Sequence, residues 1–176
     1  TLSSSSAASD VYKRQSLIFG IGASMTSLVG MSIGARDADR AEKIGWTGAG
    51  ISFVLGGVIG TLLAVFPHVW IPVFTDDPMV YDTAKRFIQI VGPCLALHAV
   101  GWALYFASQG AGAMRGPVLA LIARPIVAIG IAVLLLGPMN LGMTGVFIGA
   151  ISGMLAYTAI VTASMKGGAW RRQIPA

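Results

Sequence analysis

Apolar residues run without a charged interruption through positions 44–75, 87–114 and 125–165. A helix rises about 1.5 Å per residue and bilayer hydrocarbon is about 30 Å thick, so about 20 apolar residues cross it. The last run is long enough for two crossings. Inside hydrocarbon every N–H and C=O must be bonded within the protein, which makes these runs helices rather than open strands. Charges and helix breakers between the runs place five spans, at about 16–35, 44–66, 87–108, 117–137 and 143–165. The fold expected is an all-α polytopic membrane protein, a helical bundle over 16–165.

The connecting segments sharpen this outline. Positions 36–43 (RDADRAEK) form a dense charged stretch, read as a solvated amphipathic loop with Asp39 and Lys43 at i,i+4 spacing. Its Asp37 and Asp39 have the spacing of a metal-binding DxD, but the surrounding cations favour the solvated reading. His68 and Trp70 lie on a Pro-containing shoulder, where amphipathic rings collect at headgroup level. Asp76-Asp77-Pro78 reads as a turn and helix start, and Asp82, Lys85 and Arg86 lead into the third span. Positions 1–15 (TLSSSSAASDVYKRQ) are polar and Ser-rich and lack the order of a signal peptide. They are expected to be a non-native or disordered leader, with the chain starting partway through a longer protein. Positions 166–176 form a basic tail.

Composition agrees with a membrane protein. Hydrophobic residues make up 55% and charged residues 11% of the chain, against about 25% charged in a soluble domain. The net charge of +5 comes from cations in short loops, where membrane topology accounts for them and nucleic-acid binding is not needed. Five spans put Arg36, Arg40, Lys43, Arg115, Lys166, Arg171 and Arg172 on one side, and Lys85 and Arg86 on the other. The positive-inside rule then predicts a cytoplasmic 36–43 loop, 109–116 loop and C-terminus. The lone Cys94 forms no intrachain disulfide.

Glycines at four-residue spacing mark helix packing: Gly30 and Gly34, Gly56 and Gly60, and Gly145, Gly149 and Gly153. A face without side-chain bulk lets a neighbouring backbone approach. Pro93 and Pro125 each remove an intrahelical hydrogen bond, which makes them hinge candidates.

All seven acids lie in the predicted loops or the leader, so no carboxylate falls within a predicted span. Proton or sodium coupling usually depends on a buried acid, so a coupling carboxylate is expected on sequence outside this chain. Arg124 is the only charge inside a predicted span. It either snorkels to the headgroups or faces a cavity or an acid on another helix. His98 falls near mid-bilayer, as a packing residue or as a direct site for substrate or protons. His98 and Tyr105, seven apart, share a face, as do Tyr105, Ser108 and Gln109. The third span is therefore the candidate polar wall, unless those groups bond across helices. No Cys/His cluster, phosphate-binding Gly loop or Ser/His/Asp set appears, so neither a metal site nor an enzyme is expected.

Several motifs, in order, are similar to the multidrug and toxic compound extrusion (MATE) family. Positions 20–48 resemble the second helix of a MATE lobe, with Val29-Gly30, Gly34-Ala35 and Arg40-Ala41 at its characteristic places. Positions 73–93 (VFTDDPMVYDTAKRFIQIVGP) resemble the segment before a lobe's fourth helix. Positions 106–125 (FASQGAGAMRGPVLALIARP) resemble its Gln-Gly loop and the Arg-containing helix after it. Positions 141–153 (LGMTGVFIGAISG) resemble the start of the last helix. The resemblance implies the C-terminal six-helix lobe lacking its first helix, facing an N-terminal lobe absent from this sequence across a central cavity. It implies a bacterial inner-membrane transporter exporting organic, often cationic, compounds by alternating access. Its partners would be the bilayer and a small organic substrate, with H+ or Na+ as coupling ion and no other cofactor. Candidate cavity residues are His98, Tyr105, Gln109 and Arg124; no coupling acid carries over. The alternatives are a lipid-linked saccharide flippase of the same superfamily and a non-transporting membrane assembly subunit.

Overall fold

The computed structural model describes residues 22–137 and 141–171. The leader, the first part of the predicted 16–35 span and the end of the basic tail lie outside the described residues. Helix α1 is described over 22–34. It is followed by α2 (Ala38–Val65), the short α3 (Pro67–Trp70) with a 3-10 turn (Ile71–Val73), and α4 (Pro78–Val91). A second 3-10 turn (Gly92–Cys94) leads into α5 (Leu95–Gly110), then α6 (Arg115–Leu136) and α7 (Gly142–Lys166). No strand occurs among the described residues.

Two helix starts come earlier than hydrophobicity alone indicates. The charged stretch read as a loop is the first two turns of α2. Asp37 caps it, its side chain accepting from the Arg40 N–H at 2.9 Å. The Ala, Arg, Glu and Lys that follow are strong helix formers. In the same way Asp77 accepts from the N–H groups of Met79 (2.8 Å) and Val80 (3.4 Å), with Pro78 in the first turn, so the helix starts where Asp76-Asp77-Pro78 indicated, ahead of the apolar run at Phe87. From Pro78 to Gly110 the chain is helical over 33 residues, about 50 Å at 1.5 Å each. That exceeds the hydrocarbon thickness, and Asp82, Lys85 and Arg86 occupy the end that projects.

Four helices among the described residues are long and apolar enough to cross a membrane: Ala38–Val65, Pro78–Gly110, Arg115–Leu136 and Gly142–Lys166. Burial within the bundle does not explain their apolarity. In α6 the most apolar window has mean hydropathy 2.6, yet 6% of it is buried. Leu119, Ile122, Ile126, Ile129, Val133 and Leu134 all face outward, more than half exposed. Such a surface is costly in water and free of that cost in lipid. The chain is an all-α, multi-pass membrane protein.

Glycine faces assemble the bundle. The main contacts join α6 to α7, α2 to α5 and α5 to α7, so α5 and α7 link the two helix pairs. A Cβ on Gly149 or Gly153 would come within 2.5 Å of the Ala128 carbonyl or 2.7 Å of the Arg124 carbonyl, so both backbones of the α6–α7 pair are in contact. Gly56 likewise faces Ala99 and the Leu95 carbonyl, and Gly60 faces the carbonyl of Gly92. The stripe on α7 continues every fourth residue through Tyr157, Val161 and Met165, all buried. Each step of four turns the face by about 40°, which carries it from α6 at Gly153 to α5 at Tyr157 and on to Gly45 of α2 at Met165.

The predicted cation-rich segments meet at one end of the bundle. Gly116 abuts Ser164, and Trp170 packs on Gly45 beside Met165. Arg171 reaches Asp39 at 2.7 Å and Glu42 at 3.5 Å. Asp39 therefore pairs with the tail rather than with Lys43. These ion pairs are exposed and contribute at most about 1 kcal/mol; the buried Trp170 indole does more to hold the tail down.

Candidate functional site

The polar and aromatic residues of α5 adjoin one another as a ladder of side chains. The Trp102 Nε1–H donates to His98 Nε2 at 2.9 Å, and Gln109 Nε2 donates to the Tyr105 hydroxyl at 3.2 Å. Both are i,i+4 bonds along one helix face. Trp102 bridges the two halves, its ring centroid 6.1 Å from His98 and 5.7 Å from Tyr105. His98 and Tyr105 are half-buried, while Gln109 is exposed and Ser108 is buried.

Opposite the ladder stands Tyr157 of α7, fully buried. Its ring centroid lies 5.7 Å from His98 and 6.2 Å from Trp102. The close approach of α5 and α7 is possible because residue 101 is Gly, where a Cβ would press on Tyr157 and Thr158. Thr158 fixes the register by donating to the Leu97 carbonyl at 3.1 Å. Two buried polar atoms here have no hydrogen-bond partner, His98 Nδ1 and the Tyr157 hydroxyl.

Arg124 is the tenth residue of α6, half-buried, with no carboxylate paired to it among the described residues. Its backbone carbonyl faces Gly153, one turn before Tyr157 on α7. Of the four predicted cavity residues, His98 packs on Tyr157, Tyr105 joins it only through Trp102, Gln109 attaches through Tyr105, and Arg124 stands on α6 across from Gly153. Tyr157 and Trp102 were not among the residues singled out from sequence. The stripe Gly145, Gly149, Gly153 points to Tyr157 as its next member, but a tyrosine among small residues reads as filler until a facing glycine is known.

The hinge candidates differ. Pro93 lies in the 3-10 turn between α4 and α5, whereas α6 runs through Pro125 as continuous helix. The carboxylates Asp39, Glu42 and Asp82 stand on helices, within the first two turns of α2 and α4, so the acids lie near the starts of the described helices rather than in their middles.

Beside the ladder, a groove of about 470 Å³ runs between α1, α2 and α5, lined by Met25, Leu55, Ile59, Phe106 and Trp102, with Ser52 as a polar member. That volume suits a small organic molecule. His98, Tyr105, Gln109 and Arg124 do not line it; Trp102 is the residue common to groove and ladder. No group of three or more His, Cys, Asp or Glu side chains gathers to hold a metal among the described residues.

Comparison with known proteins follows the same lines. A probable multidrug resistance protein NorM of Thermotoga maritima is 23% identical over 156 residues, covering 88% of this chain. The chain spans 34%, about a third, of that relative's length. No solved structure matches. The MatE family model matches residues 14–134, more than half of the chain. With membrane-length helices packed through the glycines its motifs supply, the chain belongs to the MatE family of membrane transporters.

Proposed function

We propose that these helices form one lobe of a secondary transporter that exports organic compounds, often cationic, in exchange for H+ or Na+ by alternating access. The observation that carries this reading is the MatE match over residues 14–134 on a bundle of membrane-length helices. The similarity to a probable multidrug resistance protein supports efflux of foreign compounds in particular. A single intramembrane cation, Arg124, supports organic-compound efflux over a lipid-linked saccharide flippase, whose cavity would carry several. The seven-to-two division of loop cations supports a C-terminus in the cytoplasm of a bacterial inner membrane.

The test uses the full-length protein in everted membrane vesicles. After a proton gradient is formed, adding an organic cation such as ethidium should dissipate part of it, or a sodium pulse should drive dye movement. Absence of exchange with either ion, at normal expression, would remove the proposal.

A further inference from the structure

We infer that the outer face of α2 seats an anionic phospholipid, whose phosphate is met by Lys43 and Lys166 at Trp46 and whose chain lies along the helix below them. The inference rests on the chain being a membrane protein and does not depend on the proposed efflux.

The charges at this end of the bundle do not balance locally. Its acids among the described residues are engaged: Asp37 accepts from the Arg40 N–H, and Asp39 and Glu42 meet Arg171. Lys43 and Lys166 are exposed and in no ion pair among the described residues. They come from different helices to one aromatic ring. Lys166, at the end of α7, has its Nζ 5.8 Å from the centre of the Trp46 ring. Lys43 precedes Trp46 by three residues, on the same side of α2. The packing of Gly45 against Met165 and Trp170 fixes this meeting of α2 with α7. An indole with ammonium groups beside it suits the headgroup level of a bilayer. Two ammonium groups without a carboxylate repel each other unless an anion joins them, and at that level the anion at hand is a lipid phosphate. A zwitterionic headgroup would bring its own ammonium against the two lysines, so the lipid favoured carries a net negative charge.

Below the cations the same face of α2 is open and largely apolar. At 100° per residue, Lys43, Thr47, Gly50, Val54, Gly57 and Thr61 fall within about 40° of one line along the helix. Nothing lies within 4 Å of a would-be Cβ at Gly50, and Val54 is 60% exposed. From Val54 onward this face forms one wall of a groove of about 530 Å³, with Pro93 and Ala96 on its other side. Val54 is eleven residues beyond Lys43, about 16 Å along the axis, which is about the depth of one hydrocarbon leaflet. A chain whose phosphate sits at Lys43 therefore passes over the bare Gly50 and reaches the groove. A soluble phosphate would use the lysines alone, whereas a lipid uses the lysines and the groove together.

The full-length protein in detergent is titrated with dioleoylphosphatidylglycerol and, separately, with dioleoylphosphatidylcholine, and the bound lipids are followed by native mass spectrometry. The tightest site is expected to take the anionic lipid at least about tenfold more strongly than the zwitterionic one. Lys43→Gln and Lys166→Gln each weaken the anionic lipid about fivefold, the ordinary worth of one lysine at an anionic membrane surface. Lys43→Arg, which keeps the charge, retains binding, and Lys85→Gln, on α4 toward the opposite end, leaves it unchanged. Both lysines of the seat are exposed, so the Gln variants are expected to unfold at the parental temperature and to report on binding alone. Equal affinity for the two lipids, or a preference for the anionic lipid that is indifferent to both Gln substitutions, overturns the inference. Displacement of the bound lipid by millimolar glycerol 1-phosphate overturns it too, since the site would then be one for soluble phosphates. No readout requires an ion gradient, so failure of efflux and failure of this seat are separately visible.

Discussion

Gly60 and Gly50 lie on the same helix and differ completely in what surrounds them. A Cβ at Gly60 would overlap the carbonyl of Gly92, which is backbone and cannot swing aside, whereas nothing lies within 4 Å of one at Gly50. Gly60→Ala is therefore expected to lose about 1–3 kcal/mol of stability through forced separation of α2 from the 92–94 turn. Gly50→Ala should lose none, because alanine is the better helix former. Thermal unfolding of the two full-length variants in detergent checks this, and equal midpoints would contradict the packing described for α2. Gly56, Gly60, Gly149 and Gly153 were legible as contact positions from their spacing alone. Gly34 shares that spacing but has no atom near its would-be Cβ among the described residues, because α1 meets α5 higher up, at Thr26 and Gly30. Of the site, the donors on α5 and Arg124 could be read as polar exceptions in apolar runs. Tyr157 could not, since its role depends on which helix α7 faces after its contact face has turned, a tertiary fact.

Among elements, the spans themselves were the most legible part. The structure ends α6 and α7 within one or two residues of expectation, since Gly and Pro punctuate both. The helix start at Pro78 was legible in Asp76-Asp77-Pro78, whereas the start at Ala38 was missed because an Asp cap outweighs the polarity of the turn that follows it. The 92–94 turn gives the α4–α5 rod its defined break. Pro93 cannot donate to the carbonyl four residues back, and the tight Gly60–Gly92 contact holds the turn against α2. We predict that Pro93→Ala in the full protein leaves helix content by circular dichroism unchanged or slightly higher while slowing efflux several-fold. Efflux at the parental rate would mean that the turn is static packing rather than a hinge. Pro125, within an unbroken α6, is expected to matter less, and Pro125→Ala should retain most activity in the same assay.

At the scale of the whole molecule, the cation-rich segments at the starts of α2 and α6 and the end of α7 share one face, as a single membrane side requires. With Cys94 replaced by Ser, a Cys placed at Asp77 should react with an impermeant maleimide added outside intact cells, and one placed at Ala38 should not. The opposite pattern would invert the proposed orientation. Residues 16–176 expressed alone are expected to show no energy-dependent dye efflux above background, because alternating access needs a second wall for the cavity. Efflux from that segment would place the whole transport pathway within these helices. The closing of this end over Gly45 also has a consequence for how the protein is made. Trp170 and Arg171 emerge from the ribosome about 130 residues after the α2 turn they cover, a separation read from the chain numbering. Until then α2 and α5 can pair, but Gly45 and the slot at Gly101 stay open in the bilayer. The packing of these helices is thus completed only after α7 and residues 170–171 behind it are translated rather than span by span, and the interval before that is when a quality-control protease is expected to engage them most readily.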